Sequence, residues 1–395
     1  MKIDIKNCII VLAVVVVAFN LRPALAAFGP ILDEIQAVLG MSNTQASLLT
    51  TIPVFFMGAG ALCINQFKGA INSRAAIAVS IVLILIACAT RYVAPSSASL
   101  LITAAVAGMG IACVQTLLPG FIKGRFGAAS GNILGLYTTG IMAGSALAAA
   151  ASAGLVGTLG IPGGLAVWAL PALVALLLWM LATRGTDIAT LRSVSASPQT
   201  ERRVFYNNAR AYALMIFFGI STGAYTLVLA WMPPYYTSLG WSSTHAGLLL
   251  AGITLAEVVA GVLVSMVIHK FPDRRVLLGG VLTVLLIGIV CLVYEPVRLA
   301  IPISVMLGLS IGALFPLSLI LTADHVSSTR DAAQLMGFVQ GGGFIIASFM
   351  PLMAGMIRDA FDSLTQAWLV MGLGAIIMLA MSMQFSPSSY VKLRR

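Results

Sequence analysis

Two ionisable side chains lie inside long apolar stretches of the sequence, where their chemistry suits anion binding and proton exchange. Arg22 follows an apolar run that starts near Cys8, and Pro23 comes directly after it. Glu257 lies in the middle of the apolar stretch 244–268. A guanidinium is always charged and offers a planar fork of donors to a small anion or a polar nitro group. A carboxylate at such depth is unfavourable unless it is protonated or has a cation nearby.

Both residues also admit structural interpretations. Arg22 could form an ion pair with Glu257 or donate to a backbone carbonyl, and Glu257 could be a neutral acid in a packed interface. Because ionisable residues inside membrane spans are functional by default, we predict that Arg22 binds a solute. We assign proton coupling to Glu257, with the counter-ion and packing roles left open.

Amide and aromatic side chains in other apolar stretches complete the predicted cavity. Amides can donate and accept hydrogen bonds, although the same residue types often only bridge or pack helices. The predicted substrate-binding residues are Arg22, Asn20, Gln115, Tyr225, Trp231 and Gln340.

The elements that carry these residues are predicted to be transmembrane helices. Hydrophobic residues make up 60% of the 395 positions and charged residues 9%, whereas soluble proteins have roughly 25% charged residues. A spanning helix needs about 20 mostly apolar residues, and the apolar runs do not alternate as barrel strands do. Twelve runs qualify: 8–32, 44–67, 75–93, 98–122, 128–158, 163–183, 211–237, 244–268, 276–294, 299–322, 332–357 and 363–385.

The positive charges indicate how the helices are oriented. If both termini are cytoplasmic, all but four of the 22 Lys and Arg residues fall at the inner side. The exceptions are Arg22 within a run and Arg91, Arg298 and Arg358 at outer ends. Cytoplasmic loops carry such an excess of Lys and Arg. We therefore expect a multi-pass protein of the bacterial inner membrane with both termini cytoplasmic.

The chain divides into two halves around its longest polar stretch. We predict an N-terminal six-helix bundle over 1–183, a cytoplasmic connecting loop over 184–210 and a C-terminal six-helix bundle over 211–395. Gly110, Gly135 and Gly140 recur 202 positions later as glycines in the corresponding runs of the second half. Paired halves around a site at the membrane midplane are a transporter architecture. The spaced glycines allow close helix packing or helix movement, and the sequence does not separate the two.

Several function classes are disfavoured. The five Cys and three His residues show no metal-ligand spacing, so we predict neither a metal site nor a cofactor. The sequence contains no HExxH, GxSxG or Walker motif, so we expect neither an enzyme nor a directly ATP-driven pump. A channel would more often show pore-lining rings or a filter sequence. The net charge of +10 reflects orientation against the anionic inner leaflet and requires no nucleic-acid partner.

Asp273-Arg274-Arg275, between the eighth and ninth runs, is similar to the cytoplasmic-loop motif of the major facilitator superfamily. The two halves and the long basic central loop resemble that superfamily as well. The first copy of the motif is degraded, since 66–74 contains no acidic residue. The resemblance implies the major facilitator fold, an all-α membrane protein of twelve helices in two pseudo-symmetric bundles. It also implies that Asp273, Arg274 and Arg275 form a cytoplasmic gate.

Within the superfamily, the sequence resembles the cyanate and 2-nitroimidazole permease family, and especially its cyanate permease branch. The likeness extends over nearly the whole chain. The segments that carry it are Asn20-Leu21-Arg22-Pro23, Leu48-Leu49-Thr50-Thr51-Ile52-Pro53, Leu118-Pro119-Gly120-Phe121-Ile122-Lys123, Ala230-Trp231-Met232-Pro233 and Gln340-Gly341-Gly342-Gly343-Phe344.

The resemblance implies a monomeric secondary active transporter that works by alternating access, with protons as a candidate coupling ion. Its implied substrate is a small anion such as cyanate or a related small polar compound. The alternative is efflux of a nitroimidazole-like drug. Drug/proton antiporters of the superfamily have spaced glycines followed by Gly-Pro in the fifth span. Here Gly144 matches that spacing, but Ser145 stands in place of the proline, which disfavours multidrug efflux.

Overall fold

The computed structural model describes residues 5–67, 72–93, 96–184, 205, 207–326, 329–388 and 390. Within these residues the chain forms helices and no strands. The first half contains α1 (Ile5–Phe19), α2 (Pro23–Ala26), a 3-10 turn (Gly29–Ile31), α3 (Leu32–Leu39), α4 (Asn43–Phe67), α5 (Ser73–Val93), α6 (Ser97–Phe126), α7 (Ser130–Ala166) and α8 (Ala169–Ala182). The second half contains α9 (Ala209–Ser238), α10 (Ser243–Val267), α11 (Arg274–Tyr294), α12 (Ala300–Asp324), α13 (Thr329–Phe361) and α14 (Thr365–Met383).

The prediction of an all-α fold with twelve membrane spans is confirmed, and two of the spans are irregular. Among the described residues, 11 helical segments are long and apolar enough to cross a membrane. The first of these is Asn7–Leu39, which is assembled from α1, α2, the 3-10 turn and α3. The remaining span is α8, a shorter apolar helix of 14 residues. The last turns of α7 precede it, beyond a break at Gly160, whose φ of 69° is left-handed and therefore favours glycine.

The helices pack in the same pairs within each half. In the first half, α1 packs on α7 and α8, α4 on α6, and α5 on α6 and α8. In the second half, α9 packs on α13 and α14, α10 on α12, and α11 on α12 and α14. The six spans of one half thus repeat the arrangement of the other, as the predicted two-bundle fold requires.

The two halves meet along two helix pairs, α4 with α13 and α7 with α10. A Cβ atom added to Gly58 of α4 would lie 2.5 Å from the carbonyl oxygen of Gly341 of α13. A Cβ added to Gly247 of α10 would lie 2.4 Å from the carbonyl oxygen of Ala149 of α7. Since real Cβ atoms do not approach backbone oxygens this closely, the halves touch through glycine because no larger residue fits.

One end of the molecule, here called the Asp33 end, is closed by polar contacts between the halves. Arg358 Nη1 donates to Asp33 Oδ1 at 2.9 Å. The carboxylate of Asp359 accepts hydrogen bonds from the backbone N–H groups of Asn43 and Thr44, both at 2.9 Å, and from their side chains. A helix N-terminus leaves its first N–H groups unpaired, so the second half caps α4 of the first half.

The predicted connecting loop lies mostly outside the described residues, which include only 184, 205 and 207–210 of it. The division of the chain at 184–210 therefore stays a prediction.

Candidate functional site

The first span is broken where the sequence placed the solute-binding arginine. Helix α1 ends at Phe19, and α2 begins at Pro23 with Arg22 as its N-cap residue. Proline has no N–H and cannot continue the α-helical hydrogen bonds of the preceding turn. The Asn20 amide donates to the carbonyl oxygens of Val16 at 2.7 Å and Pro171 at 3.0 Å. Asn20 therefore ties the end of α1 to α8, with one hydrogen bond to each helix.

Arg22 is buried without a polar partner. Its side chain is 6% exposed, its Nε is buried, and it makes no ion pair or hydrogen bond with the described part of the chain. The guanidinium carbon lies 5.2 Å from the centre of the Tyr225 ring, on α9 of the other half. Such a cation–π contact stabilises the charge without using the N–H donors. Those donors are left for a ligand or for water.

Glu257 faces the same region from α10. The Glu257 carboxyl group is close enough to Arg22 for their charges to interact. The hydroxyl groups of Tyr225 and Tyr137 are also close enough to feel the charge of Arg22. Glu257 is 6% exposed, and its Oε2 atom is buried without a hydrogen bond. Arg22 and Glu257 do not form an ion pair, and none of the ion pairs between described residues includes either of them. Buried polar atoms without partners are rare in proteins, so we take Arg22 and Glu257 as the centre of a candidate solute site.

Two residues from α7 also lie near this candidate site and were not predicted from the sequence. Tyr137 is buried and within the electrostatic range of Arg22. The Ser145 hydroxyl is close to the Tyr225 hydroxyl, although neither makes a hydrogen bond of normal geometry. Two signals in the sequence were available, since Tyr137 is the sole aromatic residue of α7 and Ser145 replaces a motif proline.

The other predicted binding residues, Trp231, Gln115 and Gln340, form no hydrogen bond with Arg22 or Glu257 among the residues that the structure describes. Trp231 is fully buried, its indole N–H donates to the Pro351 carbonyl at 2.9 Å, and Arg358 lies 5.6 Å above its ring. These contacts place it toward the Asp33 end. Gln115 and Gln340 are half-buried, and their binding roles stay predictions.

The residues of the predicted cytoplasmic gate bond within the second half. Asp273 caps α11 and pairs with Arg275 at 2.6 Å. The side-chain hydrogen bond from Arg275 holds the pKa of Asp273 below its usual range. Arg274 pairs with Asp324 of α12 at 2.8 Å and donates to the Phe271 carbonyl. The motif thus ties the α10–α11 loop to α12.

The residue after Asp324 is a buried histidine, His325. The Arg210 Nε donates to Nε2 of His325 at 3.1 Å, and Nδ1 of His325 lies 2.7 Å from the Leu321 carbonyl. These contacts assign a neutral ring with its proton on Nδ1. Burial lowers the pKa of His325 to about 4, so the ring is uncharged at neutral pH.

Comparison with known proteins gives consistent results. The family model described as Major Facilitator Superfamily matches residues 10–252 and 214–392. The chain is 33% identical to the cyanate transport protein CynX of Escherichia coli (strain K12), over 97% of this chain and 98% of that protein. It is 29% identical to the 2-nitroimidazole transporter of the same organism, over 90% of each chain. Among solved structures, the D-xylose-proton symporter superposes with a TM-score of 0.77 at 14% identity, covering 97% of this chain and 99% of that one.

The family match spans both halves, and the helix pairs repeat between the halves as that fold requires. Two of the relatives are named for the small solutes that they transport, cyanate and 2-nitroimidazole. The chain belongs to the major facilitator superfamily and, within it, to the cyanate and 2-nitroimidazole permease family.

Proposed function

We propose that this protein is a secondary active transporter that moves a small anion of the size and charge of cyanate, with Arg22 as the anion ligand. The observation that carries the proposal is the buried guanidinium of Arg22, which has no ion pair or hydrogen bond with the described part of the chain. Burying an unpaired charge costs several kcal/mol, and a bound anion offsets that cost. The similarity to a cyanate transport protein supports this substrate class.

The site residues take distinct roles in this proposal. Arg22 supplies the charged fork, and the hydroxyls of Tyr225, Ser145 and Tyr137 supply neutral hydrogen bonds. Asn20 supports Arg22 by fixing the break in the first span. Gln115 and Gln340 remain candidates for contacts in another conformation, and Trp231 supports Arg358 at the Asp33 end.

Glu257 provides a route to proton coupling. Solute and the Glu257 carboxylate compete for the positive charge of Arg22, and like charges repel strongly in a medium of low dielectric constant. An anion bound at Arg22 therefore favours a proton on Glu257. Anion and proton then cross the membrane together.

In alternating access, one end of the molecule is closed while the other end exchanges solute. With both termini in the cytoplasm of a bacterium, the Asp33 end faces outward and is closed by Arg358 and Asp359. The site in this state then exchanges with the cytoplasm. Asp273, Arg274 and Arg275 act on the inner side by fixing the α10–α11 loop to Asp324.

Efflux of a planar nitro-heterocycle is the second candidate. The observation that favours it is the Tyr225 ring beside Arg22, since an aromatic face and a guanidinium together suit a nitro-aromatic ring. The similarity to a 2-nitroimidazole transporter points the same way.

Thermal-shift assays with purified protein separate the two candidates. Cyanate and other small monovalent anions should raise the melting temperature, whereas 2-nitroimidazole should not. Counterflow of labelled cyanate in proteoliposomes then tests transport, and Arg22→Lys should fail because it keeps the charge but loses the planar fork. Arg298→Lys, on an exposed arginine, is the matched control. Full counterflow by Arg22→Ala would overturn the proposal, and stabilisation by 2-nitroimidazole alone would favour the second candidate.

A further inference from the structure

A second arginine is buried in the first half. The charge pattern placed Arg91 at the outer end of the third span, but its side chain is 0% exposed. None of the ion pairs found in the described ranges involves it, and its Nη2 atom is buried without a partner. A charged group buried this completely needs a physical reason.

The contacts of Arg91 converge on the broken first span. Its Nη1 donates to the Ala24 carbonyl at 3.3 Å, and its guanidinium carbon lies 4.6 Å from the centre of the Phe28 ring. Its Nε donates to the Thr103 hydroxyl of α6 at 3.2 Å, which in turn donates to the Leu100 carbonyl at 3.0 Å. Thr103 therefore orients the guanidinium toward the break.

The Ala24 carbonyl needs this donor because of how the span is broken. In a continuous α-helix, the Ala24 carbonyl would accept from the N–H of Phe28, four residues later. Here the Phe28 N–H donates to the Leu25 carbonyl at 3.3 Å instead. Buried carbonyl groups in proteins are almost always paired. Arg91 supplies the missing hydrogen bond two residues away from Arg22.

We propose that Arg91 is a positioning residue, which fixes the segment from Arg22 to Phe28 and thereby the direction of the Arg22 guanidinium. Arginine suits this role because a long, planar donor can bond a carbonyl, bond Thr103 and stack on Phe28 at the same time. The effect on anion binding rests on the proposed function, whereas the effect on the first span does not.

Hydrogen–deuterium exchange on the purified full-length protein tests the effect on the span directly. Arg91→Gln should speed amide exchange in peptides covering Ala24 to Ile31, and Arg91→Lys should restore part of the protection. Thr103→Val keeps the charge of Arg91 but removes the hydroxyl that accepts from its Nε. It should therefore speed amide exchange in the same peptides, but by less than Arg91→Gln. Thr90→Val is the matched control, since the Thr90 hydroxyl bonds only within its own helix. Wild-type exchange in both Arg91→Gln and Thr103→Val would overturn the proposal.

Cyanate binding to the same variants, measured by isothermal titration, tests the positioning role. The dissociation constant should rise about tenfold in Arg91→Gln, the size expected for losing a hydrogen bond from a charged group, and recover in part in Arg91→Lys. Faster amide exchange with unchanged cyanate affinity would show that Arg91 has only a structural role, and it would overturn the proposal that Arg91 positions Arg22. Arg22→Ala separates the two proposals, because it should abolish cyanate binding and leave exchange at Ala24 to Ile31 unchanged. If Arg91→Gln does not fold, Thr103→Val decides both measurements.

Discussion

Removing the Asp359 carboxylate should open the Asp33 end. Asp359 caps α4 together with Ser42, and it accepts from two backbone N–H groups and two side chains of the other half. These bonds exist only while the halves are together at this end. Because Asp359 is exposed and water competes for the same donors, we count only the loss of the helix cap, about 2 kcal/mol at most. That free energy corresponds to roughly a 30-fold rise in the population open at this end.

A cysteine on the α4 face that packs against α13 reports the opening. Ser47 contacts Gly355 of α13, and Thr51, one helical turn further on, is buried on the same face. In a background without the native cysteines, Thr51→Cys should react slowly with a membrane-impermeant maleimide added from outside. Asp359→Ala should raise that rate by up to about 30-fold, if the labelling rate follows the open population.

Glu295→Ala is the matched control for this experiment. It removes an exposed acid from the predicted outer side of the second half, and no hydrogen bond or ion pair of the described residues joins Glu295 to the first half. Its labelling rate should equal that of the parent. Equal rates in Asp359→Ala and the parent, or an equal rise in Glu295→Ala, would refute the assignment of Asp359 as a latch.

Three further outcomes are expected. Glu257→Gln should retain counterflow of labelled cyanate but lose accumulation driven by a pH gradient, and unchanged accumulation would remove Glu257 from coupling. Gly144→Ala should lower the melting temperature, since its Cβ would lie 2.0 Å from the Phe19 carbonyl oxygen and overpacking costs about 1–3 kcal/mol. Gly131→Ala, with open space around it, should melt like the parent, and equal melting of both variants would contradict the packing argument. The pKa of His325 is lowered to about 4, below the roughly 6.5 of an unfolded chain. The unfolded state therefore binds more protons, so stability should fall as the pH drops from 6.5 to 4. His325→Asn should flatten that fall in melts recorded across this range, and an unchanged slope would count against the assignment.

The fold and the two charged residues of the candidate site could be predicted because lipid restricts what a sequence can do. A bilayer accepts only helices or closed barrels, so apolar runs of sufficient length identify the spans. A lone arginine or glutamate inside such a run has few structural explanations. In the structure, Arg22 and Glu257 lie close enough for their charges to interact. A proline next to Arg22 also indicated where the first span breaks.

The neutral residues of the site could not be predicted in the same way. Tyr137 and Ser145 are ordinary components of a small-residue helix, and only the packing of α7 against α1 brings them to Arg22. Trp231 resembles a cavity residue by type, yet its N–H has a backbone partner. Arg91 lies at the outer end of a run, where the charge pattern alone gives no sign of burial. Its contact with Ala24 joins residues 67 positions apart, which periodicity in the sequence does not report.

The broken first span has a consequence for how the protein is made. It leaves the ribosome before the other eleven spans, but the amide of Asn20 bonds to a carbonyl 151 positions later. The 3-10 turn at Gly29–Ile31 packs on α9 and α10 of the second half. At about 5–20 residues per second, the partners of the break are synthesised roughly 8–40 seconds after it. During that interval the break lacks its contact with α8, and Arg22 lacks the Tyr225 ring that stabilises its charge, which is unfavourable in hydrocarbon. The first span therefore reaches its folded form only after the sixth, seventh and eighth spans have been made.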